Sequence, residues 1–490
     1  MARFSRISGA GTLLSAFLLL LPGCASVPKL GSAPVVRPPT AYAAEQSLAA
    51  GDAYAWPDAQ WWKGYGDPQL DTLVAEALSN APDIATAAAR VKRADAYVQQ
   101  AGAARLPTLD ASGSAGTAKQ SYNNGIPADF VPHGWNGTGK VQAELGFDLD
   151  LWGKNKASYA AARSDAEAAR LDLAQASLTL STNVADAYAD LARLFAERGV
   201  QQMALRIKEE TASLTDDRVA SGLDTQAELK QARSAVPAAR ADLAETDEQI
   251  ALTRNRIAAL LGKGPDRGLS ISAPATSIPA RGLPEDASTN LIGRRPDIIA
   301  ARVRVEAEAS RIKVARADFY PSISLSALFG FQSLGLDNLF KSGSSFGSAG
   351  PALSLPLFHG GELQGRYRSA RATYDEAVAS YDQAVTDAYH AVADAVASQR
   401  ALATRLSESR LSLEDARGAY AIAKQRYEGG LSRFLDVLSA QERALQAQRT
   451  VTDLEARAFS LDVALVRALG GGFSSPAAAS HQTSKEPNNG

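Results

Sequence analysis

The chain carries the same architectural unit twice. Asn183-Val184-Ala185-Asp186-Ala187 returns as Ala391-Val392-Ala393-Asp394-Ala395, Gly222-Leu223 as Gly430-Leu431, and Leu261-Gly262 as Leu469-Gly470, each pair 208 residues apart. Earlier in the chain, Pro82-Asp83-Ile84 matches Pro296-Asp297-Ile298 and Pro107 matches Pro321, at an offset of 214. A six-residue indel therefore falls between Pro107 and Gly153. A repeat this long is not a short solenoid unit. It predicts a pseudo-twofold protomer whose function lies where the two copies meet or where their tips converge.

Length alone, 490 residues, suggests two to four ordinary domains. Composition redirects this. Ala is abundant and aromatics are sparse, and long stretches lack Pro and Gly, which favours extended helices with thin seams. A net charge of −2 without a Lys/Arg block argues against nucleic acid as a partner. The single cysteine excludes a disulfide within the chain. Residues 1–23 hold Arg3 and Arg6, an apolar run through Leu18 to Leu21, and Pro22-Gly23 before Cys24. That pattern is a secretory signal ending in a lipobox-like sequence, and it resembles a bacterial lipoprotein signal. Acylation of Cys24 is expected. Ala25 follows, so the outer membrane is the expected destination. Beyond residue 23 no segment approaches the ~20 apolar residues of a transmembrane helix, so any bilayer crossing must be by β-barrel.

The expected division is a signal peptide over 1–23, a Pro-rich lipidated tether over 24–60, a first repeat over 61–266 and a second over 267–470. A disordered tail over 471–490 follows. Trp56, Trp61 and Trp62 should dock the end of the tether. Asp67-Pro68 reads as an N-cap with Pro at the first helical position, opening a helix to about Arg105 that Pro82 breaks in two. Period-two alternation then appears. From Val141 to Leu151 every odd residue is apolar and every even one polar or Gly, as in a transmembrane β-strand. Leu109 to Ala115, Ile323 to Phe331, and Leu353-Leu355-Leu357 give three more strands. The hairpins fall in 107–152 and 321–360, with surface loops at 117–139 and 333–350.

Long helical hairpins are expected over 153–262 and 361–470. A first arm of some 63 residues reaches on the order of 95 Å. Its seam in the second copy runs through Ala370, Tyr374, Ala377, Tyr381, Ala384 and Ala388. Four strands cannot close an outer-membrane barrel, which needs at least about eight. Several chains must share one, under cyclic symmetry; the sequence does not choose between two and three copies.

With these features in hand, the chain resembles the outer membrane factor (TolC) family, and within it the NodT-type efflux lipoproteins of resistance-nodulation-division systems. The carriers are Trp61-Trp62 with Asp67-Pro68-Gln69-Leu70, Arg294-Arg295-Pro296-Asp297-Ile298, Phe319-Tyr320-Pro321, and Tyr427-Glu428-Gly429-Gly430-Leu431 leading into Leu435-Asp436-Val437-Leu438. The resemblance implies a mixed α and β membrane protein. A trimeric 12-stranded β-barrel would be continuous with a 12-helix periplasmic α-barrel, nearly shut at its far end until a periplasmic adaptor and an inner-membrane transporter dock.

Asp436 and Glu228 occupy equivalent places in the two copies. The resemblance implies that Asp436 lines a constricted aperture, where three copies form a carboxylate ring favouring cations; a solvated helix face is the other reading. The second acidic residue common in the family is replaced by Ser439, which implies a single acidic layer. Glu228 resembles the position that hydrogen-bonds across hairpins to Tyr427, with helix packing as the alternative. Arg433, beside Ser432, could add a salt bridge. The turn residues Gly222, Leu223, Gly430 and Leu431 are candidate adaptor contacts, and their glycines also suit left-handed helix caps. Asp110, Glu144, Asp148 and Asp150 should face the barrel lumen.

Nothing points to an enzyme. His133, His359, His390 and His481 share no metal-ligand spacing, no phosphate loop joins a strand to a helix, and no nucleophile elbow is present. No cofactor is expected beyond the lipid on Cys24. The reading is a passive, gated exit duct for small molecules. The alternatives are the outer-membrane duct of type I protein secretion, and a lipid-anchored periplasmic coiled-coil scaffold without a pore.

Overall fold

The computed structural model describes residues 26–48, 54–279 and 281–474; the signal, Cys24 and most of the tail lie outside them. Helices α1 (Pro68–Asn80) and α2 (Pro82–Ala103) precede strands β1 (Thr108–Ala118) and β2 (Asn136–Asp148). The first long hairpin is α3 (Lys154–Ala220) and α4 (Gln226–Leu260). After the short α5 (Asp266–Leu269), the second copy repeats the series as α6 (Ala287–Arg294), α7 (Pro296–Ala317), β3 (Ser322–Leu334), β4 (Ser345–Ser354), α8 (Glu362–Glu428) and α9 (Phe434–Ala468). Both first arms have 67 residues and both return helices 35. Among the described residues no helix is apolar enough to cross a membrane.

The chain forms two compact units that cut across the repeats. Among the described residues, one comprises 26–36, 91–168 and 301–381; the other comprises 37–48, 54–90, 169–279, 281–300 and 382–474. In the first, four antiparallel strands lie in the order β1-β2-β3-β4. Their register aligns the apolar residues across the whole sheet. Leu109 faces Leu145, which faces Ala327 and then Ala349; Val141 faces Phe331; Phe147 faces Leu325; Ile323 faces Leu353. The opposite face carries Asp110 against Glu144, Ser112 against Gln142, and Asp148 against Ser324. Two expectations fail here. The fourth strand ends at Ser354, so Leu355 and Leu357 lie beyond it, and residues 345–350, read as loop, are strand. Pairing of Ser345 to Ser354 with β3 outweighs the weak strand signal of Gly347, Gly350 and Pro351. Pro351 contributes no N–H to the ladder.

The second unit holds a large core, in which Trp61, Trp62, Tyr65, Leu70, Leu73, Val184, Tyr188, Leu191, Ile257 and Phe459 pack together. Asp67 organises its edge. One carboxylate oxygen accepts from the Gln69 amide (2.9 Å), capping α1; the other accepts from the Tyr188 hydroxyl (2.6 Å) and the Ala275 amide (2.9 Å). Burial, together with that bond, pushes the Tyr188 phenol upward. Trp56 donates to Asp286 at 2.8 Å. Along α8, Tyr42 and the Arg37 amide both donate to Asp382. In the first unit Arg371 and Tyr374 donate to the carbonyls of Ser32 and Pro34.

The duplication has a packing reason. Gly262 and Gly470 end their return helices at φ +68° and +88°, and each abuts the break before a helix-starting proline. A Cβ on Gly262 would meet the Asn80 carbonyl at 2.9 Å, and one on Gly470 the Arg294 carbonyl at 2.2 Å. Gly470→Ala is therefore expected to destabilise the second unit by about 2–4 kcal/mol, combining left-handed strain with overpacking. At Gly430, φ +73° but in open space, the same change should cost only ~1 kcal/mol. Chemical denaturation of the three proteins side by side measures the difference.

Candidate functional site: the helical hairpin tips

Each long arm ends in the same six-residue turn. The Gly222 amide donates to the Val219 carbonyl (3.0 Å) and the Leu223 amide to the Arg218 carbonyl (2.8 Å). In the second copy Gly430 donates to Tyr427 (3.0 Å) and Leu431 to Arg426 (2.7 Å). This is the left-handed glycine cap that satisfies the last carbonyls of a helix. It projects Leu223 and Leu431 into solvent, Leu431 with 72% of its surface exposed, and Leu435 beside them.

The return helices start with acidic residues three places into the first turn, where an anion suits the helix dipole. Glu228 accepts from the Thr225 amide (2.7 Å) and hydroxyl (2.9 Å) in a capping box. Asp436 accepts from the Arg433 amide at 3.0 Å and is otherwise exposed.

The expected bond between Glu228 and Tyr427 is not formed in this chain, because the capping box holds the Glu228 carboxylate on Thr225. Asp224 takes the place instead. The Tyr427 hydroxyl donates to Asp224, and Arg218 grips the same carboxylate with both Nε (2.9 Å) and Nη2 (3.3 Å). Arg218 Nη1 also donates to the Tyr427 carbonyl at 2.9 Å, and its guanidinium lies 4.3 Å from the Tyr427 ring centre. The arginine and aspartate side chains are only 12% and 7% exposed and Tyr427 1%. Tyr427 packs against Ala232, Phe434 and Val437, so Arg218 and Asp224 of the first hairpin and Tyr427 of the second lock the two hairpins together.

Burial alone would raise the Asp224 carboxyl, but hydrogen bonds from Arg218 and Tyr427 outweigh it and hold the group below the ordinary carboxylate range. Burial, then the bond to Asp224, raises the Tyr427 phenol. Ser432 donates to the Ala423 carbonyl, at 3.4 Å. Arg433 is exposed and carries no ion pair to a described residue.

The polar sheet residues Asp110, Glu144 and Asp148 share one face. Asp150 does not join them. The strand ends two residues earlier, and Asp150, at φ +45°, caps α3 by accepting from the Asn155 and Lys156 amides at 2.8 and 2.9 Å. Among the described residues no acidic, histidine or cysteine cluster could hold a metal.

A sheet with one continuous apolar face, carried on helical hairpins too long for a globular domain, defines a channel-type outer-membrane protein. The chain belongs to the outer membrane efflux protein family, whose profile matches residues 73–263 and 287–471. It is 37% identical to a fusaric acid resistance protein, FusA, of Burkholderia cepacia, over 74% of this chain and 70% of that one. It is 31% identical to the multidrug resistance outer membrane protein MdtP of Escherichia coli O6:H1, over 95% and 96%. The outer membrane protein VceC of Vibrio cholerae superposes with a TM-score of 0.82 at 43% identity, covering 86% of this chain and all of that one. The fold is thus that of an outer-membrane efflux channel.

Proposed function

We propose that three copies of this chain form the passive exit duct of a tripartite efflux system. An inner-membrane pump supplies the energy, and a periplasmic adaptor joins pump to duct. The observation that carries this reading is the sheet. It has one apolar face for lipid, one polar face for a lumen, and unpaired edges at β1 and β4, so neighbouring chains must complete it. Three copies give the twelve strands that close a small barrel. Small-molecule cargo is favoured by the names of FusA and MdtP. Cys24 is assigned the lipid anchor, and the exposed turns at Gly222, Leu223, Gly430 and Leu431 the adaptor contact. The protein performs no chemistry of its own.

A deletion strain tests the cargo. Increased sensitivity to small toxic compounds with unimpaired protein export supports efflux, and the reverse outcome supports type I secretion. Planar bilayers test the pore, since a scaffold without a pore carries no current. In this reading Asp436 faces the aperture, with Glu228 behind it. Asp436→Ala should then weaken block by divalent cations about tenfold, since a ring of three carboxylates is removed. An unchanged cation titration would remove Asp436 from the aperture.

A further inference from the structure

Where the strands give way to helices, a groove of about 540 Å3 opens between α3 and α7. Its walls include Trp152, Lys156, Lys313, Arg316 and Tyr320. Trp152 and Tyr320 stack with ring centres 4.8 Å apart at 24°, and the indole Nε1 donates to the Pro321 carbonyl at 2.6 Å, fixing the pair. Lys156, Lys313 and Arg316 are all exposed, and among the described residues none has an ion-pair partner. Their neighbours differ. Lys154 pairs with Asp318 at 2.7 Å, and Arg311 pairs with Asp165 and Glu308. Three uncompensated cations within about two helical turns are conspicuous in a chain of net charge −2.

Helix phase gives the side on which they lie. A neighbouring cavity shares Trp152, Ala317 and Tyr320 with the groove and is also lined by Lys154, Asp318 and by Asp148, Ser322 and Ser354 of the polar sheet face. Lys154 and Lys156 are about 200° apart around α3. The cationic groove therefore opens on the other side, that of the apolar face. Its level is equally defined. Trp152 lies just beyond the end of β2, Tyr320 just before β3, and Leu106, Leu151, Leu357 and Phe358 stand exposed at the same ends of the sheet. Aromatic and basic residues gather at this depth, where hydrocarbon meets headgroups. The groove also continues the inner strands β2 and β3, away from the edges at which neighbouring copies join.

We infer that this groove binds the headgroup of an anionic glycerophospholipid of the periplasmic leaflet. Lys156, Lys313 and Arg316 surround the phosphate with charged donors. Trp152 and Tyr320 lie at the glycerol ester level, and the acyl chains run up the apolar face towards Phe147 and Leu325. The inference rests only on the sheet lying in the outer membrane and not on what is transported.

Full-length protein in neutral detergent, titrated with phosphatidylglycerol or phosphatidylcholine and followed by native mass spectrometry, tests it. Retention of phosphatidylglycerol at least about tenfold stronger is expected. Lys156→Gln with Lys313→Gln and Arg316→Gln should abolish the preference, and Lys230→Gln with Lys263→Gln and Arg405→Gln should preserve it. Millimolar inorganic phosphate should not displace the lipid. Equal retention of the two lipids, equal loss in both variants, or displacement by free phosphate would each overturn the site. If the first variant fails to assemble, Lys313→Gln alone and salt take over: a wild-type preference unaltered by roughly 0.5 M salt, where surface charge is screened within a few ångströms, also overturns it. Insertion into phosphatidylcholine vesicles separates the two readings. Failure to insert sinks the membrane placement, whereas insertion without lipid preference sinks the groove alone.

Discussion

Phe329→Arg is expected to abolish the membrane-inserted oligomer, while Ser326→Arg leaves it assembled. Phe329 lies in the middle of β3, opposite Ala143 on one side and Gly347 on the other, with 60% of its surface exposed in the single chain. Its face is the one that aligns Leu145, Val141, Leu325 and Leu353. An arginine near the bilayer midplane of a barrel costs about 2–4 kcal/mol, and threefold assembly triples it to about 6–12 kcal/mol. That is comparable with the whole stability of a typical fold, about 5–15 kcal/mol. Ser326 is three residues away and so on the opposite face, where alternation places it with Gly146 and Gly350. There water can solvate the guanidinium. Heat-dependent mobility in detergent gels, with urea titration of protein refolded into vesicles, reads both variants. Equal tolerance of the two arginines would mean that the apolar face does not meet lipid.

What the sequence disclosed follows from how local each signal is. The alternation from Val141 to Phe147, the Asp67-Pro68 start and the break at Pro82 are fixed by neighbours along the chain, and each lies where the sequence placed it. The start of β4 is not local. Phe346, Gly347 and Pro351 become strand only because β3 offers them a partner. Alternation continues through Asp150 in the sequence, yet its left-handed backbone ends the pleat and starts a helix. At the tips the repeat is no guide to the lock. Glu228 and Asp436 are equivalent by spacing and each accepts from the N-cap amide three residues before it, whereas the lock joins positions that are not equivalent. Asp224 corresponds to Ser432, and Tyr427 to Val219. The one legible hint was Arg218, six residues before Asp224 across a glycine turn, a spacing that closes an ion pair over the loop.

Asp224→Ala should raise the open probability of the channel, and Glu228→Gln should not. Removing the Asp224 carboxylate strips two hydrogen bonds from Arg218 and leaves the nearly buried Tyr427 hydroxyl without its acceptor. Breaking one partner of such a pair costs about 2–4 kcal/mol, and even 2 kcal/mol shifts an equilibrium roughly thirtyfold. If the lock holds the two hairpins in the closed arrangement, that shift appears as current in planar bilayers. Glutamine at position 228 still suits a capping box, so the gate should be nearly unaffected. The same ion pair sets the pH response. Because the Asp224 carboxyl titrates below its ordinary range, its stabilisation is complete above the unfolded value near 4 and disappears only as pH falls through the lower folded value. Wild-type current at pH 5 should match that at pH 7, and Asp224→Ala should be open at both. A wild-type channel that opens between pH 7 and pH 5 would place its gate on some group other than Asp224, for no carboxylate held down by an arginine and a tyrosine gains a proton in that window.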